Sequence, residues 1–244
     1  MSDKACARTE LLIGREGMIN LASRHVLVAG LGGVGGHAAE TLARAGVGTL
    51  TLVDNDRVAP SNLNRQLLAL NSTLGLSKVQ VMAERIRDIN PELDVRVLDQ
   101  FIDQENAAAL LEGEPLDYVA DCIDTVACKT ALIAAALDRS IPVISSMGAA
   151  GRLDARRVQC VKLNQTHGDG LARAVRKRLK QAGYALDLPV IFSDEPPALG
   201  IPKSMTDEGE KAHPRSVNGT IAHMPPLFGL MLAGEIIRRL LLAG

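Results

Sequence analysis

His25-Val-Leu-Val-Ala29 runs straight into Gly30-Leu-Gly32-Gly33-Val34-Gly35, and a helical pattern follows over residues 34–45. The apolar run reads as a buried strand, the glycines as a tight turn and the rest as the opening of a helix. Such a turn brings backbone N–H groups at a helix N-terminus close to phosphate oxygens, so a nucleotide site is expected here. Outward from this unit, strands are expected at 49–53, 95–98, 118–120 and 143–145. Between them, Val79, Met82, Ile86 and Ile89 recur at helical spacing before Pro91, residues 106–111 suggest a short helix, and 130–137 form an alanine-rich one. Strands alternating with helices imply right-handed crossovers and a mostly parallel sheet covered on both faces.

The remainder has another character. A strand is expected at 158–163, a basic helix at 171–182, a short extended stretch at 190–192, a mobile polar loop at 193–218 and an apolar closing helix at 225–244. The fold class is therefore α/β: a Rossmann-like doubly wound sheet with a C-terminal extension of strands, basic helix and closing helix. We read residues 1–244 as one domain, with an N-terminal helical arm (1–24), a nucleotide-binding core (25–150) and an extension (151–244) that carries the substrate side.

Composition narrows the function. With 244 residues, 47% of them hydrophobic, the chain can bury a large core, and a net charge of −1 argues against a globally basic coat. Trp 0, Tyr 2 and Phe 3 leave too few rings for a base-stacking platform. The 4 cysteines, Cys6, Cys122, Cys128 and Cys160, form no C-x-x-C pair, so no zinc site is expected. Cys160 reads as a small buried residue of a strand. Residues 1–14 are charged rather than an apolar leader, and the unbroken apolar stretch of the closing helix is about half a membrane span. A cytoplasmic enzyme without a membrane segment is the expectation.

The segment after the second strand selects the nucleotide. Asp54 ends that strand where an acidic side chain meets ribose hydroxyls. Asp56, Asn64, Arg65 and Gln66 follow, and Lys78 opens the next helix. Two cations flanking one glycine loop suit a triphosphate better than a dinucleotide, although Arg65 and Lys78 could equally be solvated surface charges. Asp121 and Asp124 follow the fourth strand, where open α/β sheets bind ligands. A carboxylate there can hold Mg²⁺ against phosphates. For Asp121, a loop-structuring role stands level with a functional one.

These residues carry a resemblance. The glycine loop, Asp54-x-Asp56, Asn64-Arg65-Gln66, Lys78 and Asp121-Cys-Ile-Asp124 resemble the ATP-dependent adenylating enzymes related to ubiquitin activation. Within that superfamily, Arg8-Thr-Glu-Leu-Leu-Ile-Gly14, the stretch 144–154 and Pro225-Pro-Leu-Phe-Gly229 are most similar to the tRNA threonylcarbamoyladenosine dehydratase family. The resemblance implies that Gly30, Gly32, Gly33 and Gly35 form an ATP loop, with Asp54, Asp56, Asn64 and Gln66 beside it. It implies that Arg65 and Lys78 hold phosphates, and that Asp124 positions Mg²⁺ and the reacting α-phosphate. Asp124, Arg65 and Lys78 are thus the implied catalytic set. Arg8 would reach in trans into a partner's ATP site, which implies a homodimer. The family likeness also allows a cysteine-desulfurase or sulfur-acceptor partner.

A tRNA substrate needs phosphate contacts. Residues 151–182 hold nine cations against two carboxylates, a local charge of +7. On the basic helix Arg173, Arg176, Lys177 and Lys180 share one face and are the expected tRNA contacts, unless that face is simply solvated. Two other readings stay open: an adenylating activator of a small sulfur-carrier protein, and a nicotinamide-dinucleotide-binding Rossmann protein. The absence of cysteine beyond residue 160 disfavours thioester chemistry.

Overall fold

The computed structural model describes residues 3–196 and 219–242. The chain opens with α1 (Asp3–Ala22), bent at Gly14, where φ is 72°. Then follow β1 (His25–Ala29), α2 (Gly35–Ala45), β2 (Thr49–Val53), α3 (Lys78–Ile89), β3 (Asp94–Leu98), β4 (Tyr118–Asp121), α4 (Val126–Asp138) and β5 (Val143–Ser146). The extension adds β6 (Val158–Lys162), α5 (Gly170–Gln181), β7 (Pro189–Ser193) and α6 (Met224–Leu242). All form one seven-stranded sheet in the order β3-β2-β1-β4-β5-β7-β6. Every neighbouring pair is parallel except β6 with β7.

The strand order reverses between β1 and β4, so the loops leaving their carboxyl ends diverge and open a crevice. Register sets the level of that opening: Ala29 pairs with Val53 on one side and with Asp121 on the other. Gly30, Asp54 and Cys122 therefore leave the sheet at one height. Every residue of β1 is buried, as its unbroken apolar run requires of a central strand with helices on both faces. One face carries an apolar cluster built from α1, α2, α3 and α6, including Leu21, Leu42, Met82 and Phe228. The other carries α4 and α5, with Leu132, Ile133, Val175 and Leu179. The closing helix thus packs on this sheet and on α2. Among the described residues no helix is long and apolar enough to cross a membrane.

Two elements differ from the expected pattern. Over residues 106–111 only a 3₁₀ turn forms, at Ala109–Leu111. Asp103 Oδ1 accepts the N–H groups of Glu105 and Asn106, and such local side-chain bonds compete with a helix. Helix α4 begins at Val126 rather than near 130, because the lysine at 129 points inward and hides the true apolar face. The expected mobile loop lies largely outside the described residues; its first residues are the end of β7 and the turn to Glu195.

Candidate active site

The crevice at the switch point is a cleft of about 740 Å³. Gly30, Gly32 and Gly33 form one wall, Asp54, Asp56, Asn64, Arg65, Gln66 and Lys78 a second, and Asp124 a third. Gly30 has φ +85°, a conformation that L side chains rarely adopt. Gly35 lies beneath the loop instead of lining it: a Cβ there would sit 1.7 Å from the Gly30 carbonyl oxygen, so only glycine lets α2 start so close to β1. Val34 lines the cleft at the helix entrance and supplies no side-chain cap, while within the first turn the Gly36 N–H donates to the Gly32 carbonyl at 3.1 Å.

Asp54 binds the glycine loop to the second strand. Its Oδ2 accepts the Leu31 N–H at 2.6 Å and its Oδ1 the Asp56 N–H at 2.8 Å. Burial pushes its carboxyl above the usual aspartate range, against the pull of Lys78 and these amides. Lys78 is no surface charge, being only 4% exposed, and its Nζ donates to Asp56 Oδ2 at 2.8 Å. It begins α3 and lines the cleft, so its cation is held in place before any ligand arrives. Arg65 is half-buried, and its Nη1 donates to the Ser61 carbonyl and to Asn64 Oδ1, each at 2.9 Å. Asn64 in turn donates from Nδ2 to the Thr220 carbonyl at 3.0 Å, tying this wall to the segment that enters α6. Gln66 is 9% exposed and its Oε1 is buried without a hydrogen-bond partner in the cleft wall, an acceptor waiting for a donor.

Asp124 is exposed in the cleft lining and, among the described residues, accepts a 3.3 Å hydrogen bond from Thr125 Oγ1. Asp121 is fully buried: its Oδ1 accepts the Ile123 N–H at 3.1 Å and its Oδ2 pairs with Lys129 Nζ at 2.7 Å. These bonds make Asp121 a structuring residue of the loop after β4. Lys129, and Ser145 beside it, carried no signal in the sequence, since a lysine in an alanine-rich helix reads as surface. Gly148, Ala149 and Ala150, from the stretch 144–154 that carries the resemblance, and Leu171 also line the cleft.

Cys122 and Cys128 line the cleft, but burial pushes the Cys122 thiol up to about 12, far from a thiolate at neutral pH. Cys160 is exposed, not buried as expected, because β6 is the edge strand. It lies outside the cleft, and partial desolvation of the thiol, with the Glu235 carboxylate nearby, holds its pKa up.

Other expected site residues lie apart. Arg8 is exposed on α1 and does not line the cleft of its own chain. On α5, Arg173, Lys177 and Lys180 are exposed, whereas Arg176 is half-buried and donates to the carbonyl and hydroxyl oxygens of Thr166. Arg152, counted in the basic segment, is 3% exposed and pairs with Asp169 at 3.3 Å. Asp169 also caps α5 by accepting the Ala172 N–H at 2.6 Å.

Comparison with known proteins adds to this geometry. The profile of the ThiF family matches residues 6–243. The tRNA threonylcarbamoyladenosine dehydratase of Bacillus subtilis (strain 168) is 42% identical over 239 residues, covering 96% of this chain and 94% of that protein. The enzyme of the same name from Escherichia coli (strain K12) is 45% identical over 203 residues, 80% of this chain and 75% of the relative. The crystal structure of the E. coli enzyme in complex with ATP superposes with a TM-score of 0.88 at 34% identity, covering 99% of this chain and 95% of that one.

Proposed function

Since the chain belongs to the ThiF family, we propose that it uses ATP to adenylate the threonyl carboxylate of threonylcarbamoyladenosine in tRNA, after which the ring closes with loss of water. The observation that carries this is the single cleft uniting the glycine loop, Asp54, Gln66, Arg65, Lys78 and Asp124, in a chain aligned almost end to end with dehydratases of that name. In this reading the chain is an ATP-dependent enzyme. The glycine-loop amides, Lys78 and Arg65 hold the phosphates, Asp54 accepts from the ribose, and the substrate carboxylate attacks the α-phosphate as pyrophosphate leaves. The carbamoyl part of the same nucleoside then attacks the acyl carbon and AMP departs. Ring closure within one molecule has a high effective molarity, so the protein needs chiefly to activate and orient. Charge that develops at the phosphate is met by preorganised cations.

Asp124, an exposed carboxylate facing the phosphate end, fits Mg²⁺ brought in on ATP, and that ion would neutralise phosphate charge. Among the described residues no group of three His, Cys, Asp or Glu side chains is gathered to hold a metal by itself. A thioester route fits less well, because of the two cleft cysteines Cys122 has its thiol pKa raised by burial and Cys128 is buried. The exposed cations Arg173, Lys177 and Lys180 are the proposed tRNA contacts, whereas Arg176 serves by fixing the Thr166 turn. A homodimer in which Arg8 enters the neighbouring cleft agrees with its exposed position outside the lining of its own cleft and with Leu11 and Leu12 of α1, 88% and 85% exposed.

The test is nucleoside mass analysis after incubating the protein with ATP, Mg²⁺ and tRNA carrying linear threonylcarbamoyladenosine. Loss of one water that depends on ATP is expected. Unchanged nucleoside with ATP still turned over would transfer the reading to a carrier-protein carboxylate.

A further inference from the structure

Behind the cleft floor lies a charged cluster wholly removed from solvent. Lys129, Asp121 and Ser145 are each 0% exposed. Lys129 Nζ donates to Asp121 Oδ2 at 2.7 Å and to Ser145 Oγ at 2.9 Å, and Ser145 Oγ donates to the same Oδ2 at 2.6 Å. Asp121 and Ser145 are register partners on β4 and β5, so the lysine, from α4, clasps two adjacent strand ends. Burying an ammonium and a carboxylate costs hydration that their attraction barely returns, and well-packed apolar residues of similar volume commonly stabilise as much. Stability alone therefore gives this cluster no reason to be ionic.

Its placement gives one. Each member adjoins a cleft residue along the chain: Cys122 follows Asp121, Cys128 precedes Lys129, and Ser146 follows Ser145. The second carboxylate oxygen of Asp121 accepts the Ile123 N–H at 3.1 Å, and the next residue is Asp124. Among the described residues Asp124 itself has little else to hold it, namely its hydrogen bond from Thr125 at 3.3 Å. One carboxylate is thus locked on one side by Lys129 and Ser145 and fixes on the other the turn that presents Asp124.

We infer that Lys129 is a positioning residue for the adenylation step: through Asp121 and the Ile123 amide it sets where Asp124 meets the α-phosphate. This rests on the role of Asp124 in the function proposed above. A displacement of an ångström at a reacting centre can cost about a hundredfold in rate, so a loosened Asp124 turn is expected to slow chemistry without impairing ATP binding.

The experiment uses the full chain and the variant D121N/K129M, which removes both charges and leaves no buried ion unpaired. Its thermal midpoint, its ATP affinity without tRNA and its single-turnover rate on modified tRNA would be measured, alone and combined with D124A. The expected result is ATP affinity within roughly threefold of wild type, a rate lower by about tenfold or more, and little additional loss when D124A is present. A wild-type rate, a parallel loss of ATP affinity, or losses that multiply fully with D124A would each overturn the positioning role. S145A keeps the ion pair and guards against a folding failure of the double variant. It is expected to slow the reaction about threefold at unchanged ATP affinity, and a wild-type rate there would count against the inference. Wild-type protein inactive on this tRNA would instead remove the proposed substrate, so the two failures are distinguishable.

Discussion

Two lysine–aspartate pairs of nearly equal length stand at the carboxyl edge of this sheet and have opposite environments. Lys78–Asp56, at 2.8 Å, lies beyond β2 with its carboxylate side chain 22% exposed, and both residues line the cleft. Lys129–Asp121, at 2.7 Å, lies beyond β4 with both side chains at 0%, and neither lines the cleft. The first pair lines the cleft with its cation, while the second holds its charges against each other, Ser145 and the Ile123 amide. What an ion pair does here follows from which way the sheet edge opens at that point, not from its chemistry.

The largest expected effect comes from breaking the buried pair on one side. Lys129→Met leaves the Asp121 carboxylate buried with Ser145 and one amide, and should cost about 3–5 kcal/mol of stability. Because small proteins hold only about 5–15 kcal/mol in total, a urea titration should show a sharply lowered midpoint. A midpoint like that of wild type would mean that water reaches Asp121.

The same change at the cleft should act on the ligand instead. Lys78→Met leaves Asp56 partly solvated, with a stability cost of about 1 kcal/mol or less. ATP affinity should fall by about 1.5–3 kcal/mol, roughly ten- to a hundredfold, as befits a lost hydrogen bond to a charged group. Calorimetric titration would check this, and equal losses of stability at Lys78 and Lys129 would erase the contrast between the pairs.

The smallest effect sharpens the nucleotide side of the comparison. Burial raises the Asp54 pKa in the folded protein, so between its unfolded and folded values the folded state binds the extra proton. The ionised group therefore costs stability at neutral pH, and that cost is relieved as pH falls through the folded value. Ligand binding in the proposed function has the opposite sign, since there ribose hydroxyls use the carboxylate as acceptor. With adenosine as probe, affinity should weaken on acidification with a midpoint above the usual aspartate range, by a few-fold in all. In D54N that pH dependence should vanish; its persistence would assign it elsewhere.

Much of this was legible along the chain. The run from His25 to Ala29 is buried throughout, the glycine loop follows it, and Asp54, Lys78 and Asp124 all reach the cleft, because a strand–loop–helix unit orients its own residues locally. The misreadings share a cause. Cys160 looked buried because alternation reports a strand without saying whether the sheet covers both of its faces, and β6 is an edge. Arg152 and Arg176 looked like free surface cations, yet one pairs with Asp169 and the other binds Thr166. Counting charge along a segment cannot see such partners.

The sequence by itself determined the alternation of strands and helices, the glycine turn after the first strand and the acidic residue after the second, since each depends on contacts within a few dozen residues. Only the tertiary structure decided which lysine lines the cleft and which is sealed away from it. Lys78 and Asp56 are 22 residues apart and Lys129 and Asp121 are 8 apart, and nothing in those spacings tells them apart. The distinction arises because strand register sets Ser145 opposite Asp121 and a helix from one face closes over both, and burial of that kind is a property of packed layers rather than of any stretch of chain.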